Sequence, residues 1–384
     1  MRHTTHLLHM PSTVHTPPGP PPQEKKSRIE FIDLAKGFCI LLVVFHHLQY
    51  TTKTHFLIDQ YTMACRMPLY FFLSGLFFKP YENFLGFLIR KTNKLLIPFL
   101  FFYITVSLAM PALLYYFTDI GERYAGLMRG WDGVWGVWTY KHIENGPVWF
   151  LWCLFIMNLY FYGIYYVSQK LPRGRILFIV TVCLALGIWG YYMGLPRTRH
   201  VYAYLDTALT ALPFFCMGFL MRKYTNLLLP NRFDKYLWII IVLLAAYTIY
   251  FTHGRVRYID NKYPFNPFFL YTCGAAGLMA IILLAKKIKS MPIVPYWGHY
   301  SIIILLTHHP IQIELVGIVK RLGLTPEWTA ILSLAILMAA YLLIIPIVLK
   351  FFPYVTAQKD AIKLPKRLKN ASSQTDSGSR QAQP

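Results

Sequence analysis

The chain has 384 residues, of which 56% are hydrophobic and only 14% are charged, and its mean hydropathy is +0.41. This composition lies outside the range of soluble globular domains and predicts an all-α, polytopic membrane protein. A formal net charge of +22 would suggest nucleic acid as the partner of a soluble domain. Here the lysines and arginines gather in short segments between apolar runs, as membrane orientation requires, so membrane lipids and not nucleic acid are expected as partners.

The first apolar segment, residues 28–50, follows a polar, proline-rich tail and is long enough to cross a bilayer. Lys36 and His47 are eleven residues apart, which returns a helix to nearly the same face about 16 Å further along. Asp33 is three residues before Lys36 and is placed to pair with it. These groups are either interfacial anchors or, because ionisable groups inside a span are costly, the lining of a polar cavity.

The second predicted span contains small residues, and the third is preceded by basic residues. The second contains MPLYFFLSGLFF, in which Ser74 and Gly75 predict a surface that lets helices approach closely. The third, residues 95–116, follows a basic stretch with Arg90 and Lys94. That charge is explained by membrane orientation alone or, alternatively, by binding of phosphate groups to cations on one helix face.

The remaining apolar segments bring the predicted number of spans to about ten. The fourth opens with GPVWFLWCLF, where Trp149 is interpreted either as an interfacial anchor or as part of an acceptor entrance. The later spans are predicted at 175–195, 205–221, 236–252, 267–285, 296–318 and 327–350. The ninth contains YWGHYSIIILLTHHPI, with His308 seven residues after Ser301 and two before Pro310.

Three regions are predicted: a disordered cytoplasmic tail at 1–27, a transmembrane domain at 28–352 and a basic, disordered cytoplasmic tail at 353–384. With the N-terminus inside, about twice as many lysines and arginines lie inside as outside, which supports that orientation. No metal site is expected, because the six cysteines stand singly in apolar segments and the tail histidines lack carboxylate or cysteine partners.

In order and spacing, these motifs resemble the membrane acyltransferase-3 family. An acid and a base followed by a histidine eleven residues after the base, the Ser-Gly segment, the basic stretch and the late His-Pro helix all have counterparts there. Lys36 stands where many members have arginine. The resemblance implies a multi-span O-acyltransferase that moves an acyl group, usually acetyl from acetyl-CoA, to a hydroxyl of a cell-surface glycan, in a bacterial inner membrane.

The resemblance also implies roles for particular residues. His47 takes the family position of the catalytic histidine, with Asp33 holding Lys36. Lys36, Arg90 and Lys94 are expected to bind the phosphates of acyl-CoA, and Ser74 to line the donor path. Trp149 and His308 are expected to bind a glycan or lipid-linked saccharide acceptor, although His308 is equally well explained as a histidine that only makes a hydrogen bond within the helix bundle.

A neutral imidazole suits removal of a hydroxyl proton, which makes His47 the expected general base. Two other classes of protein remain open. A ten-span secondary transporter or glycan flippase would use the histidines to bind protons or substrate. A non-catalytic partner of a glycan-assembly complex would keep the fold without needing His47.

Overall fold

The computed structural model describes residues 30–365 apart from 82, 110–145, 196–203, 226, 228 and 230–231. These residues form helices and no strand. The α-helices are α1 (Glu30–Thr52), α2 (Leu57–Leu76), α3 (Phe84–Lys91), α4 (Ile97–Phe102), α5 (Trp149–Gln169), α6 (Arg175–Met193), α7 (Leu205–Tyr224), α8 (Leu237–Phe251), α9 (Pro267–Ile288), α10 (Val294–His299), α11 (Ser301–Lys320) and α12 (Pro326–Phe351). Two π-helical segments, Thr92–Leu96 and Tyr103–Ala109, flank α4.

Eight helices of the described part are long and apolar enough to cross a membrane: α1, α6, α7, α9, α11, α12, α5 counted from Gly146, and α8 counted from Asp234. The protein is therefore an all-α integral membrane protein, as the sequence predicts, and eight such helices are compatible with about ten crossings. The second predicted span is α2, a helix of 20 residues that carries Asp59 and Arg66 among its apolar residues. The third begins in the helical segment before residue 110 and continues outside the described residues.

Helix α1 lies at the centre of the bundle and contacts α2, α9, α10, α11 and α12. Its crossing with α10 is so close that only glycine fits: a Cβ on Gly298 would lie 1.7 Å from the Asp33 carbonyl oxygen. A Cβ on Gly37 would likewise lie 2.2 Å from the Val294 carbonyl oxygen. The short helix α10 is thereby fixed against the turn of α1 that carries Lys36, directly before α11 begins.

The Ser-Gly segment of α2 packs tightly against α7. A Cβ on Gly75 would lie 1.9 Å from the Phe215 carbonyl oxygen, and one on Gly218 would lie 2.0 Å from that of Phe72. The interpretation of Gly75 as a close-packing residue agrees with this geometry.

The C-terminal segment does not leave the bundle at 353, where the sequence analysis places the start of a disordered tail. Residues 353–365 fold back onto the segment between α3 and α4, where Asn93 Nδ2 donates to the Ile362 carbonyl and Ile362 N–H donates to Asn93 Oδ1, both at 2.8 Å. The side-chain amide of Asn93 thus forms hydrogen bonds with both the N–H and the carbonyl group of Ile362, which explains why residues 353–365 stay against the bundle. The remaining tail residues, 366–384, and the tail at 1–27 lie outside the described residues.

Candidate active site

Two consecutive histidines near the end of α1 point to different neighbours. Successive residues of a helix project about 100° apart. His46 therefore meets α2, through Asp59, while His47 meets α11, through His308 and His309. Each histidine has its own set of neighbours on another helix, and the two adjacent rings also contact each other edge to face, with centroids 5.4 Å apart.

The first cluster consists of three imidazoles where α1 and α11 meet. The ring centroid of His47 lies 5.2 Å from that of His308 and 5.4 Å from that of His309. His47 and His309 are partly buried, and His308 is fully buried. The structure thus brings together two of the predicted site residues, His47 and His308, which are 261 positions apart in the sequence, and adds His309.

The hydrogen bond of His308 fixes its neutral tautomer. Its Nδ1 lies 2.8 Å from the carbonyl oxygen of Ile304, one turn earlier on α11. Because a carbonyl only accepts, Nδ1 carries the hydrogen and Nε2 of the neutral ring is left as an acceptor. This Nε2 is buried and has no hydrogen-bond partner among the described residues.

The second cluster connects α1 to α2. His46 Nδ1 lies 2.9 and 3.1 Å from the two carboxylate oxygens of Asp59, and Arg66 donates to the same carboxylate. Arg66 also donates to the Leu42 carbonyl oxygen at 3.2 Å. Asp59 and Arg66 are both buried. The cation and the anion therefore compensate one another inside the bundle, and the pair ties α2 to the turn of α1 before the histidines.

Asp59 and Arg66 are not among the predicted site residues, because the second span is predicted from the segment MPLYFFLSGLFF, which begins at Met67. A signal was nevertheless present. The two residues are seven apart, which places them on one face of a helix two turns from each other. Opposite charges with that spacing beside an apolar run indicate a buried pair.

Lys36 and Asp33 form the predicted pair at the other end of α1. Lys36 Nζ lies 3.3 Å from Asp33 Oδ1, with 28% of the lysine side chain and 8% of the aspartate side chain exposed. The Tyr70 hydroxyl of α2 donates to the Lys36 carbonyl oxygen at 3.3 Å. Lys36 is therefore held on its own helix but retains exposed surface.

The predicted phosphate-binding cations of the basic stretch already contact other groups of the protein. Lys94 Nζ donates to the Ala357 carbonyl oxygen at 2.7 Å and lies 3.3 Å from Asp360 Oδ1. The Arg90 guanidinium lies 4.3 Å above the Tyr81 ring. Burial lowers the pKa of the neighbouring Lys91 to about 8, which weakens it as a fixed cation. Lys36 and these cations have different neighbours, so the structure does not join them directly into one site.

A comparison with protein families decides the class of this protein. A family model described as an acyltransferase domain matches residues 29–350. The chain belongs to the acyltransferase-3 family. The matched range runs from the start of α1 almost to the end of α12. It includes the cluster of three imidazoles and the cluster of His46, Asp59 and Arg66. No curated protein and no solved structure matches the chain.

Two further predicted site residues of this membrane acyltransferase lie elsewhere in the bundle. Ser74 is partly buried and its hydroxyl accepts from Asn158 Nδ2 on α5 at 3.2 Å. Trp149 is only 6% exposed, with its ring 5.4 Å from that of Tyr204. An interfacial anchor would face lipid, so the burial of Trp149 disfavours that interpretation, and its role in acceptor binding stays a prediction.

The acyltransferase has no metal-binding arrangement in its described part: no group of three or more histidine, cysteine or acidic side chains there is placed to hold an ion. The three imidazoles are packed ring against ring.

Proposed function

We propose that this membrane acyltransferase moves an acetyl group from acetyl-CoA to a hydroxyl of a cell-envelope glycan or related saccharide. The observation that carries the proposal is the contact of His47 with His308 and His309 inside the bundle. Uncharged proton acceptors at such a depth suit a reaction in which a hydroxyl loses its proton away from bulk water.

His47 acts as the general base of the transfer. It takes the proton of the acceptor hydroxyl while the hydroxyl oxygen attacks the thioester carbonyl carbon. A C–O bond forms, the C–S bond breaks, and the thiolate of coenzyme A leaves and takes up a proton.

The donor binds from the cytoplasmic side, where the N- and C-termini lie if the protein is in a bacterial inner membrane. The partly exposed Lys36 and the exposed Lys94 have the chemistry to bind phosphate groups of acetyl-CoA. A phosphate at either residue competes with an aspartate already there, Asp33 or Asp360. Arg90 contributes a third cation and Ser74 borders the donor path, while Asp33 keeps Lys36 in place until the donor arrives.

The acceptor approaches the same histidines from the opposite side of the membrane. His308 supplies a buried acceptor nitrogen next to His47, which suits a second contact to a saccharide. Trp149 is the second residue proposed to contact the acceptor, and because it is buried, the sugar would have to reach it inside the bundle.

The decisive experiment separates transfer from transport. Membrane vesicles containing the protein are supplied with acetyl-CoA labelled in its acetyl group, and the saccharide fraction is analysed for labelled, alkali-labile ester. Covalent label that depends on the protein is the expected result. A secondary transporter or flippase would move saccharide or protons across the vesicle membrane and leave acetyl-CoA intact, which would overturn the proposal.

A further inference from the structure

The connection between α8 and α9, residues 252–266, forms a short hairpin. Arg257 and Lys262 exchange both of their backbone hydrogen bonds, at 2.9 and 3.0 Å. Arg255, two residues before the first of them, lies close enough for its charge to act on the imidazole of His46. The hairpin is therefore at the same end of the bundle as the two histidines of α1, and this end is opposite to the one that carries the basic stretch.

Hydrogen bonds to α6 and α7 hold the hairpin in place. The side chain of Asn261 is buried, and its Nδ2 donates to the Gly190 carbonyl oxygen at 2.8 Å and to Asp206 Oδ2 at 3.0 Å. Its Oδ1 accepts from the Thr210 hydroxyl at 2.9 Å. Tyr258, on the same turn, is buried as well. A hairpin anchored in this way presents its exposed side chains from a fixed backbone, which lowers the ordering cost of binding a ligand.

Three cations project from the outer face of this hairpin. Arg255 and Arg257 are exposed, whereas the intervening Val256 is buried. Alternate side chains of an extended segment point to opposite sides, so both arginines face outwards. Lys262 is also exposed and, as the bridge partner of Arg257, lies on the same face. One anchored face therefore carries three positive charges.

These charges are not balanced within the hairpin. Asp260 is the only acidic residue of the segment and lies 2.6 Å from Arg257. Like charges directly opposite one another on a hairpin are unfavourable, and Arg257 and Lys262 are such a pair. In the orientation proposed above, this end of the bundle also faces the outside, where lysine and arginine are normally few. A bound anion would offset both costs.

The position of the hairpin indicates which anion it meets. Guanidinium groups bind phosphate and carboxylate alike through paired hydrogen bonds, so the geometry of the arginines does not decide between them. Tyr250 of α8 and Phe268 of α9 flank the hairpin and are 71% and 63% exposed, as is typical of aromatic residues at the level of lipid headgroups. Phosphate esters are abundant anionic groups at that level.

We infer that Arg255, Arg257 and Lys262 form a binding site for the phosphate groups of a membrane-embedded molecule, either a phospholipid or an isoprenoid diphosphate. Three cations and one acid give the hairpin a net charge of +2 with His253 neutral. This charge complements a diphosphate more fully than a headgroup with a single negative charge. None of the three cations has a role in the acyl transfer proposed above, so the inference can be tested separately from that reaction.

The test measures binding to the purified full-length protein in the absence of acetyl-CoA. Farnesyl diphosphate and inorganic pyrophosphate are titrated by calorimetry. Phosphatidylglycerol is followed by native mass spectrometry of protein released from nanodiscs that also contain phosphatidylcholine. Binding of farnesyl diphosphate that depends on the hairpin would identify an isoprenoid diphosphate, and retention of phosphatidylglycerol that depends on it would identify a phospholipid.

The double variant Arg255→Gln with Arg257→Gln should weaken binding roughly tenfold or more, because two charge-assisted contacts are lost. The matched control is Lys320→Gln with Arg321→Gln, which removes two exposed cations from the connection between α11 and α12 at the same end of the bundle. This control should bind as the wild type does.

Asp260→Asn provides a variant with the opposite expected sign. It removes the carboxylate that competes for Arg257 and should tighten binding about two- to fivefold, which a purely structural role of the hairpin would not produce. Monodisperse elution of each variant is the control for folding.

Four results would overturn the inference. The first is that no lipid probe binds in a way that depends on the hairpin, and the second is that inorganic pyrophosphate alone does so. The third is an equal loss of binding in the control variant, which would indicate non-specific attraction between charges. The fourth is that a hexaglutamate peptide binds as tightly as farnesyl diphosphate with the same dependence on the arginines. Because acyl transfer is measured separately, each of these results leaves the proposed function standing.

Discussion

The two polar clusters of α1 begin at adjacent residues and differ in how completely their polar groups are paired. Around His46, the carboxylate of Asp59 binds both the imidazole and the guanidinium of Arg66, and Arg66 also reaches a backbone carbonyl. Around His47, the acceptor atoms of His308 and Gln312 have no donor in the described part of the protein. A paired cluster stabilises a fold, whereas a buried acceptor without a donor costs free energy unless a water or a ligand supplies the hydrogen bond.

This difference assigns separate roles to the two neighbours. His46 belongs to the connection between α1 and α2, whereas His47 is the general base of the proposed reaction. Adjacent, chemically identical side chains therefore provide an internal control for each other, and the following experiments use it.

The largest effect is expected from His47→Ala, which should reduce acyl transfer by about 10² to 10⁴ because the general base is lost. His46→Ala should retain a measurable fraction of the activity. The measurement is the mass-spectrometric yield of acylated acceptor in cells carrying each variant, with monodisperse elution of the purified proteins as the control for folding. If the His47→Ala variant still acylated the acceptor fully, the general base would have to be another residue such as His308, or the protein would have to be a transporter.

Asp59→Asn should chiefly affect stability, because it leaves Arg66 as a buried cation without its counter-charge. Removing one partner of a buried ion pair costs roughly 3 to 5 kcal/mol. The midpoint of thermal unfolding in detergent should fall markedly, and the double variant Asp59→Leu with Arg66→Met should recover part of the loss. An unchanged midpoint combined with lost acyl transfer would instead place this pair in the reaction.

Lys36→Ala should weaken acetyl-CoA binding by about 1.5 to 3 kcal/mol, the range for a hydrogen bond to a charged group. Lys36→Arg should keep much of the affinity, since it preserves the charge. Equilibrium binding of labelled acetyl-CoA to the folded variants checks this. Equal affinity of Lys36→Ala and wild type would leave Lys36 as a partner of Asp33 only.

The smallest effect is expected at the C-terminal segment. Asp360→Ala frees Lys94 from an exposed ion pair, which is worth only about 0 to 1 kcal/mol. If Lys94 binds phosphate, the KM for acetyl-CoA should fall by no more than about fivefold in Asp360→Ala and rise in Lys94→Ala. Identical KM values in both variants would remove Lys94 from the donor site.

The parts of this protein that were predictable from the sequence follow from helical periodicity. The length of the apolar runs predicted the spans, and a spacing of three residues predicted the Asp33–Lys36 ion pair. The presence of ionisable residues inside apolar runs drew attention to His47 and His308. Gln312 is likewise visible in the sequence, as a polar residue one turn after His308 and between the apolar residues Ile311 and Ile313.

The remaining contacts depend on how distant helices cross, which periodicity does not specify. His46 meets Asp59 only because α2 returns along α1 after a short connection. His309, rather than His308 alone, faces His47 because of the rotation of α11 about its axis. The clamp of Asn93 on Ile362 joins residues 269 positions apart through a backbone segment with no apolar pattern, so no local signal could reveal it.

The sequence separation between His47 and His308 has a consequence for the order in which contacts form while the protein is being synthesised. The charged groups of α1 and α2 have partners that are synthesised soon after them. Asp33 pairs with Lys36 three residues later, and Asp59 pairs with Arg66 in the same helix. His47 meets its imidazole neighbours only when α11 has been synthesised and inserted, because chains are made from the N-terminus. A nascent chain halted before α11 therefore has the Asp33–Lys36 and Asp59–Arg66 pairs but lacks the contacts of His47 with His308 and His309.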